Sequence, residues 1–227
     1  KDKIHLASGS TLANAKLNIG VANGFGLEAQ FRGRCRWGKY KDNEALYVNT
    51  PTGEKIVIFA GGGQSDSFKK IRGNSYGLWI ATEIDQHNKT FIEEAQNRQL
   101  AADRIGIFWD LNPNTPKHWI YTDYIDKWLE KQENGLMIEK VNYEHFTIDD
   151  NATISEERKE AIKQRYQVGS LHYRRSILGE RVAAEGLIYE VFAKDNNRHL
   201  VDTPPRSDIF DSIIGLDFGE AGSRIAI

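Results

Sequence analysis

The sequence predicts an α/β fold built on a parallel sheet. Two nearly uninterrupted apolar runs, "YGLWIAT" and "RIGIFWDL", predict strands, and each is followed by a helical pattern, "KTFIEEAQNRQLAA" and "TPKHWIYTDYIDKWLEK". Strands that are apolar on both faces and alternate with helices are typical of a parallel sheet that is covered on both sides. A hairpin pattern, with two β-rich runs around "TPTG" in "EALYVNTPTGEKIVIFA", adds further strands.

Local signals predict the elements before this alternating region. The segment "KIHLAS" predicts a short strand, and "STLANAKLNIG" predicts a helix that starts at Ser or Thr and ends at Gly20, a typical C-cap residue. The alternating pattern of "LEAQFRGRCRW" predicts another strand. After the hairpin, "AGGGQSDS" predicts a turn, and a short basic helix ends near "KKIRG".

The C-terminal part of the chain changes character after residue 184. Before that point, "NYEHFTI" predicts a strand, Thr153 and Glu156 form a capping box, and Gly169 separates the capped helix from a last one. Residues 185–207 lose helical periodicity and gain Pro and Asn, which predicts a linker. The final stretch, "IIGLDFGEAGSRIAI", starts a new sheet with Asp217 at the mouth of a hairpin.

Composition excludes several classes of protein. The 227 residues carry 30 basic and 32 acidic side chains, so a nucleic acid or membrane partner must meet a local patch. The single cysteine, Cys35, excludes an internal disulfide and a Cys-rich metal site, and the six histidines lack metal-ligand spacing. No segment has the pattern of a membrane span or a signal peptide. Because the sequence starts with Lys, we expect both ends to have been cut from a longer protein.

Polar residues follow both apolar strands at their C-terminal ends. Thr82 and Glu83 follow "GLWIA", and Asp110, Asn112 and Pro113 follow "IGIFW". In an open α/β sheet these ends line the ligand crevice, so a carboxylate there can polarise a water or hold a metal. Two adjacent strands of this kind fit a nucleoside triphosphatase, in which one strand tip orients the attacking water and the other senses the γ-phosphate. The alternative for Glu83 alone is a solvated strand end.

Five arginines are candidates for phosphate contacts. Arg72 and Arg98 are expected to flank this edge of the sheet and could stabilise phosphate charge, although an ordinary surface position is the alternative for each. Arg32, Arg34 and Arg36 are predicted on one face of a strand, a row that suits DNA phosphates or protects a solvated edge strand. The same segment, "GRCRWGKY", matches G-x-x-x-x-G-K, but bulky side chains fill its interior, so we reject it as a phosphate loop.

Five segments in a fixed order carry a resemblance to a known family: "LASGSTLANAKLNIG", "GLWIATEIDQHNKTFIEEAQNRQ", "DLNPNTPKHWIYTDYID", "HYRRSILGERVAAEGLIYEVF" and "IIGLDFG". Together they resemble the large subunit of tailed-phage terminases, in particular the PBSX-type group. Members pair an N-terminal ATPase, which pumps DNA into the prohead, with a C-terminal nuclease that cuts concatemeric viral DNA. The resemblance implies a parallel-sheet P-loop NTPase-like (ASCE-type) core, incomplete here, followed by a linker and the first hairpin of a ribonuclease H-like nuclease domain.

The resemblance also implies roles for single residues. Glu83 looks like the catalytic glutamate of the Walker B strand, and Asn112 lies in the motif that couples hydrolysis to movement. Asp217 looks like the first metal-binding carboxylate of the nuclease. Two departures stand out: the phosphate loop of the family would precede Lys1, and Thr82 stands where Walker B usually carries a magnesium-ordering Asp.

The domains, cofactors and partners that the resemblance implies are as follows. Residues 1–184 are a partial ATPase domain without its phosphate loop, 185–207 the linker and 208–227 the start of the nuclease domain. The parent would use ATP and Mg²⁺, with a divalent metal, Mg²⁺ or Mn²⁺, for the nuclease. Its partners would be double-stranded viral DNA, the terminase small subunit and the portal protein, on which it would form a homo-oligomer in the bacterial host cytoplasm, away from membranes and transiently at the prohead portal. This fragment alone is expected to be inactive.

Two other functions fit parts of the sequence. The chain could be a non-catalytic DNA-binding scaffold that uses the arginine row of "FRGRCRWGKYK". It could also be another ATPase with an unrelated C-terminal domain, because a metal nuclease needs more carboxylates than Asp217.

Overall fold

The computed structural model describes residues 2–182 of the chain, which form one mixed six-stranded sheet with flanking helices. The strand order is β2-β3-β4-β1-β5-β6. The strands are β1 (Ile4–Gly9), β2 (Cys35–Tyr40), β3 (Asn43–Thr50), β4 (Gly53–Gly61), β5 (Leu78–Ala81) and β6 (Gly106–Trp109). β1 pairs in parallel with β4 and β5, and β5 with β6, whereas β2, β3 and β4 form an antiparallel meander. The predicted α/β class and the predicted hairpin, β3 with β4, are confirmed.

The helices of residues 2–182 are short. They are α1 (Leu12–Ala15), α2 (Leu27–Gln30), α3 (Lys89–Asn97), α4 (Asp126–Glu133), α5 (Glu156–Lys163) and α6 (Leu171–Ser176). A π-helical segment, Lys16–Val21, continues α1, and another, Ile120–Ile125, leads into α4. None of the described helices is long and apolar enough to cross a membrane.

The sheet has a hydrophobic core on each face. Side chains alternate along β1, so Leu6 belongs to one core and Ala7 to the other. The first core packs against α3 and the Ile120–Ile125 segment, and it contains the fully buried Trp79. The second core packs against α1 and its π-helical continuation. Both cores thus contain side chains of β1, β3 and β4. The candidate site lies at the C-terminal ends of the parallel strands.

Strand β6 departs from the prediction of a buried strand. Ile107 is 36% exposed and Phe108 is 61% exposed. Within residues 2–182, β6 has one strand neighbour, β5, and its other edge is unpaired. The apolar run therefore forms a strand whose side chains the rest of residues 2–182 cover only in part.

Four local predictions are wrong. The segment "LEAQFRGRCRW" is not one strand: it forms α2, a turn and only the start of β2. Gly20 lies inside the π-helical segment, where a Cβ would come within 2.7 Å of the Trp37 ring, so the glycine serves packing rather than capping. The segment "NYEHFTI" forms no strand. The N-cap of α5 is Ser155, whose side chain accepts the backbone N–H of Arg158, so Thr153 starts no capping box.

The rest of the chain lies outside the described residues. Contacts between Cα atoms divide the chain into Lys1–Ala183 and Ala184–Ile227. The predicted linker 185–207, the predicted start of the nuclease domain 208–227 and Asp217 all fall in the second unit.

Candidate functional site at the carboxyl edge of the parallel strands

The C-terminal ends of β5 and β6 bring the predicted site residues to one edge of the sheet. The two strands pair in parallel, with Ala81 opposite Trp109, so the residues that follow them leave the sheet side by side. Glu83 and Asn112 therefore lie at the same edge, as predicted. Ser8, near the end of β1, pairs with Ala81 and joins this edge from the neighbouring strand.

Asp110 ties the two strand ends together. Its Oδ1 accepts the hydroxyl of Thr82 at 3.2 Å and the backbone N–H of Glu83 at 3.0 Å. Its backbone continues the ladder, because its N–H donates to the carbonyl of Ala81 and its carbonyl accepts the N–H of Ile84, both at 3.0 Å. Thr82, which follows β5, is thus hydrogen-bonded to an Asp that follows the next strand.

Glu83 is held in an unusual backbone conformation. Its φ of 53° and ψ of 52° are left-handed, which costs a non-glycine residue about 1–2 kcal/mol. Its side chain is partly buried, and Oε2 accepts the side-chain amide of Asn14 at 3.3 Å. A neighbouring amide, Asn18, donates to the Thr82 hydroxyl at 3.4 Å. The glutamate thus contacts α1 on one side and Asp110 on the other, while the continuation of α1 contacts the neighbouring Thr82.

A buried histidine lies behind the same residue. His87 Nδ1 lies 3.3 Å from the Glu83 carbonyl, and Nε2 lies 3.0 Å from the Ser8 hydroxyl. The indole N–H of Trp79 donates to that hydroxyl at 2.8 Å. Burial lowers the pKa of His87 to about 4, and the hydrogen bond to the Glu83 carbonyl opposes this shift only in part. His87 is therefore neutral at neutral pH.

Three consecutive glycines at the end of β4 make room for this arrangement. A Cβ at Gly61 would lie 2.8 Å from the backbone N of Leu12, and one at Gly62 would overlap Cδ2 of His87. A Cβ at Gly63 would lie 2.7 Å from the carbonyl oxygen of Ser10. The run "GGG" is thus required by close approach of the backbone to the start of α1 and to the histidine.

The loop after β6 contacts both the turn that follows Glu83, through Asp85, and helix α6, through Arg175. Asn114 donates to the Asp85 carboxylate at 3.4 Å, and Arg175 of α6 donates through Nε to the carbonyl of Pro113 at 2.9 Å. Burial raises the pKa of Asp85. Asn112 is exposed and lines a cleft of about 500 Å³ together with Arg175 and other residues of 111–113, 146–151 and 172–179. The loop therefore connects the turn that follows Glu83 with helix α6.

Arg72 and Arg98 do not flank this edge. Both pair with the mostly buried carboxylate of Glu94, at 3.4 Å and 3.1 Å. The Arg98 carbonyl accepts the N–H of Tyr76, which precedes β5, whereas Glu83 follows that strand. The two arginines thus lie near the start of β5, so the expectation that they flank the edge with Glu83 is wrong, whereas a contact with phosphate stays a prediction.

The arginine row is only partly on a strand. Arg32 and Arg34 lie in the turn before β2, and only Arg36 lies on it. All three are exposed. Arg36 stacks on the Tyr47 ring at 4.0 Å and pairs with Glu54 at 3.4 Å. The predicted alternation along one strand is wrong, and DNA contact by these residues stays a prediction.

The residues that contact Glu83 from other elements have no role in the predicted site. The sequence pattern points to neither Asn14 nor His87, and it marks Asp110 only as a polar residue at a strand end. For Asp110 a signal was present, because a carboxylate directly follows the strand beside the glutamate. Asn14 and His87 carry no such signal, since they reach Glu83 only through the fold.

Comparisons with known proteins identify proteins that are similar to this chain. A family profile described as "Terminase large subunit, T4likevirus-type, N-terminal" matches residues 22–193, more than half of the 227 residues. A structure of the large terminase from a thermophilic bacteriophage is 27% identical with a TM-score of 0.66, covering 91% of this chain and 47% of that one. The ADP complex of the same phage terminase is 26% identical with a TM-score of 0.67, covering 96% and 50%.

A third structure of that phage terminase, in complex with ATP-gamma-S, is 25% identical with a TM-score of 0.64, covering 96% of this chain and 49% of that one. The chain thus spans about half the length of these relatives. A comparison with curated proteins found no match.

Proposed function

This chain belongs to the large terminase subunits, and we propose that it is part of their ATP-hydrolysing, DNA-packaging motor, with an ASCE-type P-loop NTPase core. The observation that carries the proposal is the fixed position of Glu83 at the carboxyl edge of the parallel strands, beside Asp110. The large terminase of the thermophilic bacteriophage, with the same fold at 25–27% identity, has been solved with ADP and with ATP-gamma-S. These nucleotides support ATP as the substrate class.

Glu83 is suited to act on the attacking water. A carboxylate that is partly shielded from solvent can accept a proton from a water or polarise it, provided that its position is fixed. The backbone N–H of Glu83 is held by Asp110 and its carboxylate by Asn14. We propose that Asn112, on the loop that Asp110 begins, couples hydrolysis to movement of α6, which Arg175 links to this loop.

The side chains at this edge fit the Mg²⁺ that accompanies ATP. Mg²⁺ keeps several waters and takes only one or two carboxylates beside the substrate phosphates. Asp110 and the Thr82 hydroxyl offer such oxygen donors, and among residues 2–182 no group of three or more His, Cys, Asp or Glu forms a self-sufficient metal cage. When bound, the ion neutralises charge on the phosphates, and Asp110 is the residue that would hold it.

We propose that the intact protein cuts concatemeric viral DNA with a metal-dependent nuclease that begins with Asp217, using Mg²⁺ or Mn²⁺. We propose double-stranded DNA, the small subunit and the portal protein as its partners, and a homo-oligomer on the portal in the host cytoplasm. Arg32, Arg34 and Arg36 are proposed DNA contacts because they are exposed.

One pair of variants in the full-length protein tests the two activities separately. Glu83→Gln should lower ATP turnover by at least about 100-fold and leave nucleotide affinity intact, because the amide keeps the shape but accepts no proton. Asp217→Asn should abolish metal-dependent DNA cleavage and spare ATP hydrolysis, because the amide surrenders the charge that holds the metal. The matched control is Glu93→Gln, the same change at an exposed position of α3.

The outcomes separate the alternatives. Turnover within a few-fold of wild type in Glu83→Gln would remove Glu83 from catalysis. Cleavage retained in Asp217→Asn, with ATP hydrolysis dependent on Glu83, would favour an ATPase with an unrelated C-terminal domain. DNA binding that depends steeply on salt and not on nucleotide, without turnover, would favour the non-catalytic scaffold.

A further inference from the structure

We propose that His87, with Ser8 and Trp79, positions Glu83 through a chain of hydrogen bonds with one defined direction, which ends on the Glu83 carbonyl. The inference rests on the proposed function, since it explains how the reactive glutamate is held. The three residues touch no substrate atom in this proposal. They act through the backbone of Glu83 and are therefore positioning residues.

The chemistry of the groups fixes the direction of the chain. The carbonyl of Glu83 can only accept, so His87 Nδ1, at 3.3 Å, must carry the proton. A neutral imidazole protonated at Nδ1 has its lone pair on Nε2, so the Ser8 hydroxyl, at 3.0 Å, donates to it. The Trp79 indole can only donate, and it does so to the Ser8 oxygen at 2.8 Å. Every N–H and O–H donor of the three side chains is then used, and the other neutral tautomer of His87 cannot make all three bonds.

The side chains of this hydrogen-bond chain are buried and have little freedom to rearrange. Ser8 and Trp79 are fully buried and His87 is 3% exposed. The imidazole lies 5.5 Å from the Phe91 ring, centre to centre, and against Gly62. In such a buried region, an unmade hydrogen bond leaves a polar group unsatisfied, which is costly. The imidazole orientation is therefore locked, and with it the position of the Glu83 carbonyl.

The hydrogen-bond chain ends on a residue, Glu83, whose backbone conformation is unfavourable for a non-glycine residue. Glu83 is left-handed, with φ 53° and ψ 52°. Its N–H is fixed by Asp110 and its carbonyl by His87, while the N–H of Gln86 donates to the same carbonyl at 3.0 Å and closes the following turn. Two side chains from different elements thus hold the peptide groups on either side of the Glu83 Cα. The rotation about φ and ψ that would swing the carboxylate away breaks one of them.

The first test determines the tautomer of His87 in the full-length wild-type protein. Nitrogen NMR of ¹⁵N-histidine-labelled protein should show His87 protonated on Nδ1 alone, and Ser8→Ala should change the Nε2 resonance of that ring more than any other. His5 is the internal reference, because its Nδ1 accepts the N–H of Leu78 at 3.0 Å and the neutral ring must therefore carry its proton on Nε2. A His87 protonated on Nε2 would overturn the inference without any variant of His87.

The second test measures turnover in the full-length protein. His87→Ala should lower kcat by about 10- to 100-fold, the loss expected from misplacing a catalytic group by about 1 Å, and change KM for ATP by less than about twofold. His87→Asn keeps an amide donor near the position of Nδ1 and should recover part of the loss. Trp79→Phe removes the N–H together with part of the buried ring, and among folded variants it should lower kcat least, because His87 and its bond to the Glu83 carbonyl remain. The matched control is His5→Ala, at the opposite end of the sheet.

Combining variants separates this inference from the proposed function. His87→Ala should add nothing to Glu83→Gln, because both act on one carboxylate. If Glu83→Gln abolishes turnover and folded His87→Ala retains it, the positioning role is overturned and the proposed function stands. If Glu83→Gln itself retains turnover, the proposed function has failed, whatever His87 does.

Discussion

At the scale of single residues, Gly62 shows how tightly the site is packed. A Cβ on this glycine would overlap Cδ2 of His87 and lie 3.0 Å from Cδ1 of Phe91, and both rings are buried. Gly62 is not among the glycines with positive φ, so an alanine meets no conformational penalty from the left-handed region. Its cost is therefore steric, and the group that must move is the histidine behind Glu83.

We expect Gly62→Ala to lower the free energy of unfolding by about 1–3 kcal/mol, the usual cost of overpacking a filled core. Urea denaturation measures the change. The matched control is Gly38→Ala on β2, where φ is also not positive and the nearest atom, Cε2 of Tyr47, lies 3.3 Å away on an accessible side chain. Equal unfolding midpoints for the two variants would show that the rings of His87 and Phe91 can move to make room for the added methyl group.

The sequence identifies only one side of this site. Glu83 is predictable because it directly follows an apolar strand. Asn14 lies 69 positions from Glu83, and Ser8 lies 79 positions from His87, so no local pattern relates them. The left-handed backbone of Glu83 has no sequence signature either, because it is imposed by contacts with Asp110 and His87 rather than by a glycine.

At the scale of elements, turn residues predict the secondary structure of this chain better than the alternation of apolar and polar residues does. "TPTG" marks the β3–β4 hairpin because Gly53 adopts a φ of 105°, which strongly favours glycine. "LEAQFRGRCRW" alternates like a strand, yet its first residues form α2, whose Leu27 packs on the second core. Packing of α2 against the π-helical segment Lys16–Val21 decides the structure of this segment, and a period-two pattern carries no information about such tertiary packing.

Strand β6 is the element for which exposure has the clearest consequence. Phe108 is 61% exposed beside the edge that has no partner within residues 2–182. An apolar edge strand with free backbone groups is a template for pairing with another chain. We expect Phe108→Lys to lower self-association of this chain, measured by light scattering against concentration, with little change in unfolding free energy.

The matched control for this variant is Phe25→Lys, which makes the same change at a residue that is 71% exposed but lies outside the sheet. Both variants add one positive charge, so a general charge effect would reduce association equally. A reduction specific to Phe108→Lys would assign association to the edge of β6. An equal reduction would assign it to net charge instead.

At the scale of the whole described unit, the two halves of the sheet differ in role. The parallel strands β1, β4, β5 and β6 all end at one edge, where Ser8, Glu83 and Asp110 meet. The antiparallel meander extends the sheet from β4 and bears the exposed Arg36 on its outermost strand. The proposed catalytic residues and Arg36, a proposed DNA contact, are thus on different parts of one sheet, which are joined through β4 and β1.

Burial of ionisable groups near the site makes stability depend on pH. The pKa of His87 is about 4 in the folded chain and 6.5 without the fold. Between these values the unfolded chain binds more protons, so the contribution of His87 to stability is present above pH 6.5 and is lost as pH falls toward about 4. Asp85 acts in the opposite direction, because burial raises its pKa and folding then favours its protonated form.

We expect the wild-type chain to lose stability through His87 on acidification, by on the order of 3 kcal/mol in total if the whole shift is expressed. His87→Asn removes the titrating group, so its unfolding free energy should fall less between about pH 7 and about pH 4.5 than that of wild type. Comparing the two differences cancels the other titrating groups, including Asp85, whose surroundings the variant leaves in place. Parallel losses in both proteins would mean that His87 is protonated in the fold at these pH values, and that its hydrogen bond to the Glu83 carbonyl does not require the neutral ring.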